Sequence, residues 1–222
     1  MPTALLLGAS RGIGREFARQ LLDGGWKVFA TARDDASLAA LRAAGAEPLK
    51  LDVLKPESLA GLGRQLDDEK LDLAIYVAGV YGPPQGASAP PTAQDFDRVM
   101  HTNVLGAMQA IPLVAPMVEA AQGKFAFVSS GMGSIGEAEA SNGWVYRASK
   151  AALNMAVKSA SFDYPKASFV LLDPGWVRTD MGGPNAAIAA DESVRGMLNE
   201  IAALTPDDSG SFRSRSGRRV AW

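Results

Sequence analysis

A tyrosine and a lysine stand four residues apart in the segment Tyr146-Arg147-Ala148-Ser149-Lys150. On a helix this spacing puts both side chains on one face. A tyrosine with an ordinary pKa of about 10 is a slow acid–base group at neutral pH, but a neighbouring ammonium favours the phenolate and lowers the pKa. The pair therefore predicts proton transfer to or from a substrate oxygen. Alone, the same spacing more often means a packed ring beside a solvated amine.

Two other polar residues stand where they could join this pair. Ser130 follows a predicted strand and could hydrogen-bond a substrate oxygen, although a hydroxyl in this position often binds local backbone instead. Asn103 falls inside a long predicted helix, where asparagine is unfavourable, so we expect a local distortion or a buried polar role. The nearby His101 is expected to be structural or solvent-facing.

A glycine-rich turn, Gly8-Ala9-Ser10-Arg11-Gly12-Ile13-Gly14, lies between the first predicted strand and the first predicted helix. Gly8 permits a tight turn, Gly12 allows backbone to approach a pyrophosphate, and Gly14 allows the helix to pack closely on the sheet. Free N–H groups and the positive dipole end of a helix attract phosphates. In its strand–turn–helix context this turn predicts a dinucleotide site.

The second predicted strand ends in Thr31-Ala32-Arg33. Sites that prefer NAD usually carry an acidic residue near this point to bind the ribose hydroxyls. Here Ala32 takes that place and Arg33 follows, while Arg11 of the glycine turn could reach the same position. Two guanidinium groups suit a 2′-phosphate. Each arginine alone is more simply a solvated surface residue, but together they predict NADP(H) over NAD(H).

Apolar strand-like runs alternate with helix-period segments along the chain. The predicted strands are Thr3–Leu7, Lys27–Thr31, Glu47–Leu51, Leu73–Val77, Lys124–Ser129 and Ser168–Asp173, and the predicted helices are Ile13–Leu22, Ala36–Ala43, Pro56–Leu66, Phe96–Ala120 and Val145–Phe162. This alternation predicts an α/β fold with helices on both faces of a parallel sheet. Right-handed crossovers make it a Rossmann-type doubly wound sheet, with ligands beyond the carboxyl ends of the strands. We expect residues 1–222 to form a single domain.

Composition narrows the possible functions. The chain has 222 residues, 47% of them hydrophobic and 21% charged, and no cysteine, which excludes thiol catalysis, disulfides and Cys-based metal sites. One histidine cannot form a multi-His metal site, so no metal is predicted. A net charge of −2 gives no case for binding nucleic acid or an acidic membrane. The apolar start is too short for a signal peptide, and no apolar run approaches the length of a membrane span, so we expect a cytoplasmic protein.

These residues together resemble the short-chain dehydrogenase/reductase family. The elements that carry the resemblance occur in family order: Gly8-x3-Gly12-x-Gly14, Asp52-Val53, Ala78-Gly79, Asn103, Ser130, Tyr146-x3-Lys150 and Pro174-Gly175. The segments Ser129–Ile135, Tyr146–Asn154, Asp173–Gly183 and Gly217–Trp222 are similar to the C-factor/sniffer branch, which includes carbonyl reductases. Two positions depart from the family pattern, namely Leu7, where threonine is usual, and Val77, where asparagine is usual.

The resemblance implies a role for each matching residue. Tyr146 would be the acid/base, and Lys150 would hold the nicotinamide ribose and lower the pKa of Tyr146. Ser130 would position the carbonyl, and Asn103 would hold a water in a proton relay to Lys150. The cofactor would also contact residues of the glycine turn and of four later strand ends: Gly8, Ser10, Arg11, Gly12, Ile13, Gly14, Arg33, Asp52, Val53, Ala78, Gly79, Pro174, Gly175, Val177 and Thr179.

The substrate side is less clearly marked in the sequence. The Gly- and Ala-rich segment Met181–Asp191 is predicted to be a mobile loop over the substrate. The predicted pocket walls are Met132, Trp144, Trp176 and Met181, although large apolar residues are more often ordinary core. An apolar pocket suits a ketone, aldehyde or quinone. The basic run 213–219 is interpreted as a surface hairpin whose apolar ends dock on the domain.

Three functions remain open on the sequence. The first is an NADP(H)-dependent oxidoreductase that transfers hydride between nicotinamide and a carbonyl or alcohol. The second is a cofactor-binding signalling or regulatory protein of C-factor type, and the third, a nucleotide-sugar epimerase or dehydratase, usually carries a further substrate domain. The complete set of Asn103, Ser130, Tyr146 and Lys150 favours the first. A homodimer or homotetramer is expected from the resemblance.

Overall fold

The computed structural model describes residues 1–66 and 69–222, and within them seven parallel strands form one sheet in the order β3-β2-β1-β4-β5-β6-β7. The strands are β1 (Thr3–Leu7), β2 (Lys27–Ala32), β3 (Glu47–Lys50), β4 (Leu73–Tyr76), β5 (Lys124–Val128), β6 (Ser168–Asp173) and β7 (Ser211–Ser214). The chain order reverses between β1 and β4, which opens a crevice at the carboxyl ends of these two strands. The predicted doubly wound parallel sheet is confirmed.

Helices cover both faces of the sheet. They are α1 (Gly12–Asp23), α2 (Asp35–Ala43), α3 (Pro56–Ala60), α4 (Leu62–Leu66), α5 (Ala93–Met100), α6 (Gly106–Ala120), α7 (Trp144–Ala160) and α8 (Ala190–Ala203). Because successive side chains of a strand point to opposite faces, Leu5 packs with Val114 in one layer, while Leu6 packs with Phe17 and Met197 in the other. Strands buried on both faces explain the continuous apolar runs in the sequence.

The predicted elements agree with the structure to within a residue or two at most ends. The predicted helix Pro56–Leu66 is interrupted at Gly61, so it forms α3 and α4. Helix α8 and strand β7 were not predicted. The basic run includes part of β7, which pairs in parallel with β6, before the chain turns back at Ser214–Arg218. The hairpin with docked apolar ends was therefore only partly correct: Phe212 and Val220 are buried beside it, as expected.

A π-helical turn, His101–Leu105, joins α5 to α6 and makes 93–120 one continuous helical stretch. This is the local distortion that Asn103 predicts. By length and composition alone the stretch is apolar enough to cross a membrane, with a mean hydropathy of 1.2 in its most apolar window. The expectation that no apolar run approaches that length is therefore wrong. Half of that window is buried inside the protein, as in the core helix of a globular fold.

Candidate active site

The glycine turn between β1 and α1 has the geometry of a phosphate cradle. Gly8 has φ of 101°, and a Cβ there would lie 2.8 Å from the backbone nitrogen of Ala78. A Cβ on Gly14 would lie 2.0 Å from the carbonyl oxygen of Gly8, so only glycine lets α1 pack this closely. The end of β2 supports the turn, because the Gly8 N–H donates to the Thr31 hydroxyl at 2.9 Å. The first residues of α1, Gly12, Ile13 and Gly14, line the crevice.

The two arginines of the predicted 2′-phosphate site both border the crevice. Arg11 is exposed and forms an ion pair with Asp180 at 3.3 Å. The nearest acidic side chain after β2 is Asp34, and its carboxylate caps α2 by accepting from the Ser37 backbone N–H at 2.8 Å. Because the Asp34 carboxylate has this structural role, Arg33 is the charged residue at the end of β2 that lines the crevice.

One cavity of about 1060 Å³ runs along the carboxyl ends of the strands. It is lined by Ser130, Tyr146 and Lys150, and by every other predicted cofactor residue except Asn103: Gly8, Ser10, Arg11, Gly12, Ile13, Gly14, Arg33, Asp52, Val53, Ala78, Gly79, Pro174, Gly175, Val177 and Thr179. Among the predicted substrate residues, Met132, Trp176 and Met181 also line it. The glycine turn and the Tyr/Lys pair therefore share one cavity.

Tyr146 lies in the first turn of α7, with its ring buried at the wall of the cavity. Burial raises the pKa of Tyr146 to about 12, a hydrogen bond with Ser130 lowers it, and the charges of Asp173 and Tyr81 raise it. The raised pKa contradicts the lowering that the spacing predicts. Desolvation is the largest cause, and it keeps the phenol protonated, which suits a group that gives its proton to a substrate oxygen.

Lys150 is fully enclosed at the base of the cavity. Its Nζ donates to the carbonyl oxygen of Val128 at 2.8 Å and lies 5.6 Å from the centre of the Tyr146 ring. Burial lowers the pKa of Lys150 to about 8. The ammonium is held at the end of β5 by this bond, and burial, not Lys150, dominates the pKa of Tyr146.

Asn103 is fully buried in the π-helical turn, and its amide is engaged by the protein itself. Its Oδ1 accepts from the Val80 N–H at 2.8 Å, and its Nδ2 donates to the Val80 carbonyl and the Ser149 hydroxyl at 2.9 Å each. Among the described residues, Asn103 does not line the cavity. The widened turn aims the amide at the segment after β4, and contact between Asn103 and the cofactor stays a prediction.

At the substrate end of the cavity, two wall residues were not predicted from the sequence, and one predicted wall residue, Trp144, lies elsewhere. The Tyr81 ring packs on the Tyr146 ring with centres 4.9 Å apart, and Asn142 also borders the cavity. Trp144 begins α7, where its backbone N–H donates to the Gln85 carbonyl, and in the described part of the chain it is not among the residues that line the cavity. Trp176 and Met181, at 58% and 49% exposed, are wall residues and not core.

Comparison with known proteins identifies the family. The family model for short chain dehydrogenases matches residues 2–188. The chain is 33% identical to 1-hydroxy-2-glutathionyl-2-methyl-3-butene dehydrogenase of Rhodococcus sp. strain AD45 over 233 aligned positions, which span all of both chains. This protein therefore belongs to the short-chain dehydrogenase family, and the prediction of an oxidoreductase is confirmed.

Further comparisons place it in the C-factor/sniffer-like branch. It is 44% identical to C-signal of Myxococcus xanthus over 131 residues, which are 58% of this chain and 79% of that protein. The carbonyl reductase Sniffer of D. melanogaster superposes with a TM-score of 0.91 at 26% identity over 100% of both chains.

Two solved structures of the family carry the phosphorylated cofactor. A short-chain dehydrogenase/reductase from Burkholderia multivorans with bound NADP has a TM-score of 0.90 at 34% identity, and an NADPH-bound carbonyl reductase from chicken fatty liver has 0.89 at 31%; each match covers 100% of this chain and 99% of the other. The cofactor predicted from Arg11 and Arg33 agrees with both. This chain is an NADP(H)-dependent oxidoreductase that acts on small molecules.

Proposed function

We propose that this enzyme reduces the carbonyl group of an uncharged ketone, aldehyde or quinone with NADPH, and that Tyr146 gives the proton. The observation that carries the proposal is the single cavity into which Tyr146, Ser130 and Lys150 project beside the glycine turn. Binding alone would not need a buried phenol there, whereas carbonyl reduction needs a proton donor close to the substrate oxygen.

The residues of the crevice fit the cofactor. The backbone at Gly8 lies so close to Ala78 that a Cβ on Gly8 would have no room. This close approach and the N-terminus of α1 suit the binding of a pyrophosphate. Arg11 and Arg33 would grip the 2′-phosphate, Asp52 and Val53 would flank the adenine, and the strand-end residues 174–179 would border the nicotinamide. When bound, NADPH supplies the hydride for the substrate carbon.

The protein side chains supply the proton and hold the substrate oxygen. The Ser130 hydroxyl and the Tyr146 phenol would both hydrogen-bond the carbonyl oxygen, and Tyr146 would pass its proton to that oxygen as negative charge develops there. Lys150 would hold the nicotinamide ribose and stabilise the phenolate that Tyr146 becomes. Asn103 would act from outside the cavity, by fixing the segment after β4.

The substrate end of the cavity suits an apolar molecule. Tyr81, Met132, Trp176 and Met181 supply large apolar surface there. The Trp176 indole N–H donates to the Gly182 carbonyl at 2.8 Å, which fixes the ring against the segment that begins at Met181. Burial of such surface favours substrates with apolar groups beside the carbonyl.

Tyr146→Phe tests the proposal. This variant keeps the ring and removes the proton donor, so NADPH oxidation with a panel of ketones, aldehydes and quinones should fall at least about 100-fold, the scale of general acid–base catalysis. NADPH binding, measured by fluorescence, should stay within about threefold, well under the 1.4 kcal/mol of a tenfold change. Tyr164→Phe is the matched control, because the Tyr164 ring stacks on Phe169 in the core. Unchanged turnover in Tyr146→Phe would refute the proposal.

The identity to C-signal supports a second candidate, an NADP(H)-binding signalling or regulatory protein with little turnover. The Tyr146→Phe variant separates the two candidates, because a protein that acts only by binding NADP(H) would keep its function without the phenol hydroxyl. Tight NADPH binding without turnover across the whole panel would favour this candidate.

The remaining predictions concern organisation. We propose that residues 1–222 form one domain that acts in the cytoplasm as a homodimer or homotetramer, without a nucleic-acid or membrane partner. Exposed apolar residues on α5, α6 and α7, namely Phe96, Met108 and Met155, support self-association. Light scattering of the purified protein measures the oligomeric state, and a monomer at micromolar concentration would refute it.

A further inference from the structure

We propose that Asp173 is a positioning residue that ties the Ser130 turn to the Pro174–Gly175 loop, so that the hydroxyl of Ser130 is held beside Tyr146. This inference rests on the proposed function, in which Ser130 and Tyr146 bind the substrate oxygen together. Asp173 is the last residue of β6, and it borders the same cavity.

One carboxylate oxygen joins two loops that belong to different strands. Oδ1 of Asp173 accepts from the Gly131 N–H at 2.8 Å and from the Gly175 N–H at 3.1 Å. The other oxygen lies where a Cβ on Gly131 would be only 3.2 Å away, so the turn after β5 approaches the carboxylate closely. The Asp173 carbonyl accepts from the Arg215 N–H at 2.9 Å, which anchors this strand end on its other side.

The two loops need such a connection because β5 and β6 stop pairing just before them. The last register pair is Val128 with Leu172, followed by the hydrogen bond from the Ser129 N–H to the Leu172 carbonyl. Beyond that point Ser130 accepts from the Met132 N–H at 3.2 Å, a contact within its own turn. The Asp173 carboxylate therefore continues the connection between the two strand ends for one more residue, at the position of the active hydroxyl.

Charge and geometry can be separated at this residue. The groups that the carboxylate acts on are Tyr146 of α7 and Arg218 of the segment after β7. Burial is the main cause of the raised pKa of Tyr146, and the Glu137 carboxylate is the main cause of the raised pKa of Arg218; the Asp173 charge adds to both. Tyr81 and the Ser130 hydroxyl also act on Tyr146, from the segments after β4 and β5. An asparagine amide oxygen can accept the same two N–H groups without the charge, whereas alanine accepts neither.

The experiment compares Asp173→Asn and Asp173→Ala in the full chain, with NADPH and a ketone that the wild type reduces. Asp173→Ala should lower kcat about 10- to 100-fold, the cost of a reacting group displaced by about 1 Å, with a smaller change in KM. Asp173→Asn should keep kcat near the wild-type value at pH 6 to 7. Its decline at high pH should begin at lower pH than in the wild type, because loss of the charge lowers the pKa of Tyr146 and reduction needs the protonated phenol.

Controls make each outcome decisive. Asp163→Asn removes an exposed carboxylate at the far end of α7 and should leave both kcat and the pH profile unchanged. If Asp173→Ala does not fold, Gly131→Ala replaces it, because the added methyl group would meet the carboxylate and displace the turn, with the same expected loss of kcat. A wild-type kcat in Asp173→Ala or Gly131→Ala would overturn the positioning role. Equal losses of kcat in Asp173→Asn and Asp173→Ala would overturn it as well. An inactive Tyr146→Phe beside an unaffected Asp173→Ala would sink this inference alone.

Discussion

Lys150→Met should stabilise the cofactor-free protein at neutral pH while it removes reductase activity. Burial lowers the pKa of Lys150 from 10.5 to about 8. Because a change of one in pKa corresponds to about 1.4 kcal/mol, the buried ammonium costs the folded state about 3 kcal/mol at pH 7. Methionine keeps the aliphatic length without the charge but loses the bond from the charged amine to the Val128 carbonyl, worth about 2 kcal/mol. The net gain in free energy of unfolding is then about 1 kcal/mol at pH 7.

The pH dependence of stability gives the sharper measurement. Because folding lowers the pKa of Lys150, the folded state is most stable above pH 10.5, where the amine is neutral in both states, and this stability is lost as the pH falls through about 8. The free energy of unfolding of the wild type should therefore rise by about 2 kcal/mol between pH 7 and pH 9.5, and that of Lys150→Met should not. The window stays below pH 10, because burial raises the pKa of Tyr146 to about 12 and works in the opposite direction above its unperturbed pKa.

Urea unfolding of both proteins at pH 7 and pH 9.5, followed by tryptophan fluorescence, measures these free energies. Lys166→Met removes an exposed lysine and serves as the matched control. If the difference between wild type and Lys150→Met is the same at both pH values, the ammonium is not desolvated in the folded protein. The electrostatic description of the site would then be wrong, whatever the loss of activity.

Two further predictions concern the cofactor side. Replacing both Arg11 and Arg33 with alanine should lower kcat/KM for NADPH about 10- to 100-fold, because charge-assisted hydrogen bonds are lost, and should leave kcat/KM for NADH nearly unchanged. Steady-state kinetics with both cofactors measures this, and an unchanged preference for NADPH over NADH would contradict the prediction. Gly14→Ala should lower the melting temperature and abolish NADPH binding, because its Cβ would lie 2.0 Å from the Gly8 carbonyl, whereas at Gly63 a Cβ meets nothing within 4 Å. Equal effects of Gly14→Ala and Gly63→Ala would contradict this packing argument.

The fold could be predicted from the sequence because its information is local. Most strands are short apolar runs beside a turn, and the glycine spacing between β1 and α1 marks the crevice in advance. Helix α8 was missed because it follows the Gly- and Ala-rich segment that begins at Met181, and the composition of that segment predicts a loop. Strand β7 was missed because parallel pairing with β6 buries Phe212 among strongly basic neighbours.

The composition of the site was predictable, but its electrostatics were not. Motif order identifies Tyr146 and Lys150, yet burial of both groups raises one pKa and lowers the other, and burial is a property of the whole fold. The distortion at Asn103 was predicted from its unfavourable place in a helix, but the hydrogen bonds of its amide to the Val80 backbone depend on how the segment after β4 packs. The role of Asp173 was not predicted, because a carboxylate that accepts from two backbone N–H groups on different loops has no sequence signature.

The wide turn at His101–Leu105 fixes how α6 is rotated about its own axis. A π-helical turn is equivalent to one extra residue in an α-helix, and each residue turns the helix by about 100°. If the stretch closed into regular α-helix with all its residues kept, α6 would turn by about 100° relative to α5, and Ala107, Ala110 and Val114 would leave the core layer that they fill. The packing of α6 thus penalises loss of the bulge, and the inward amide of Asn103 is preserved by apolar residues a full turn or more away.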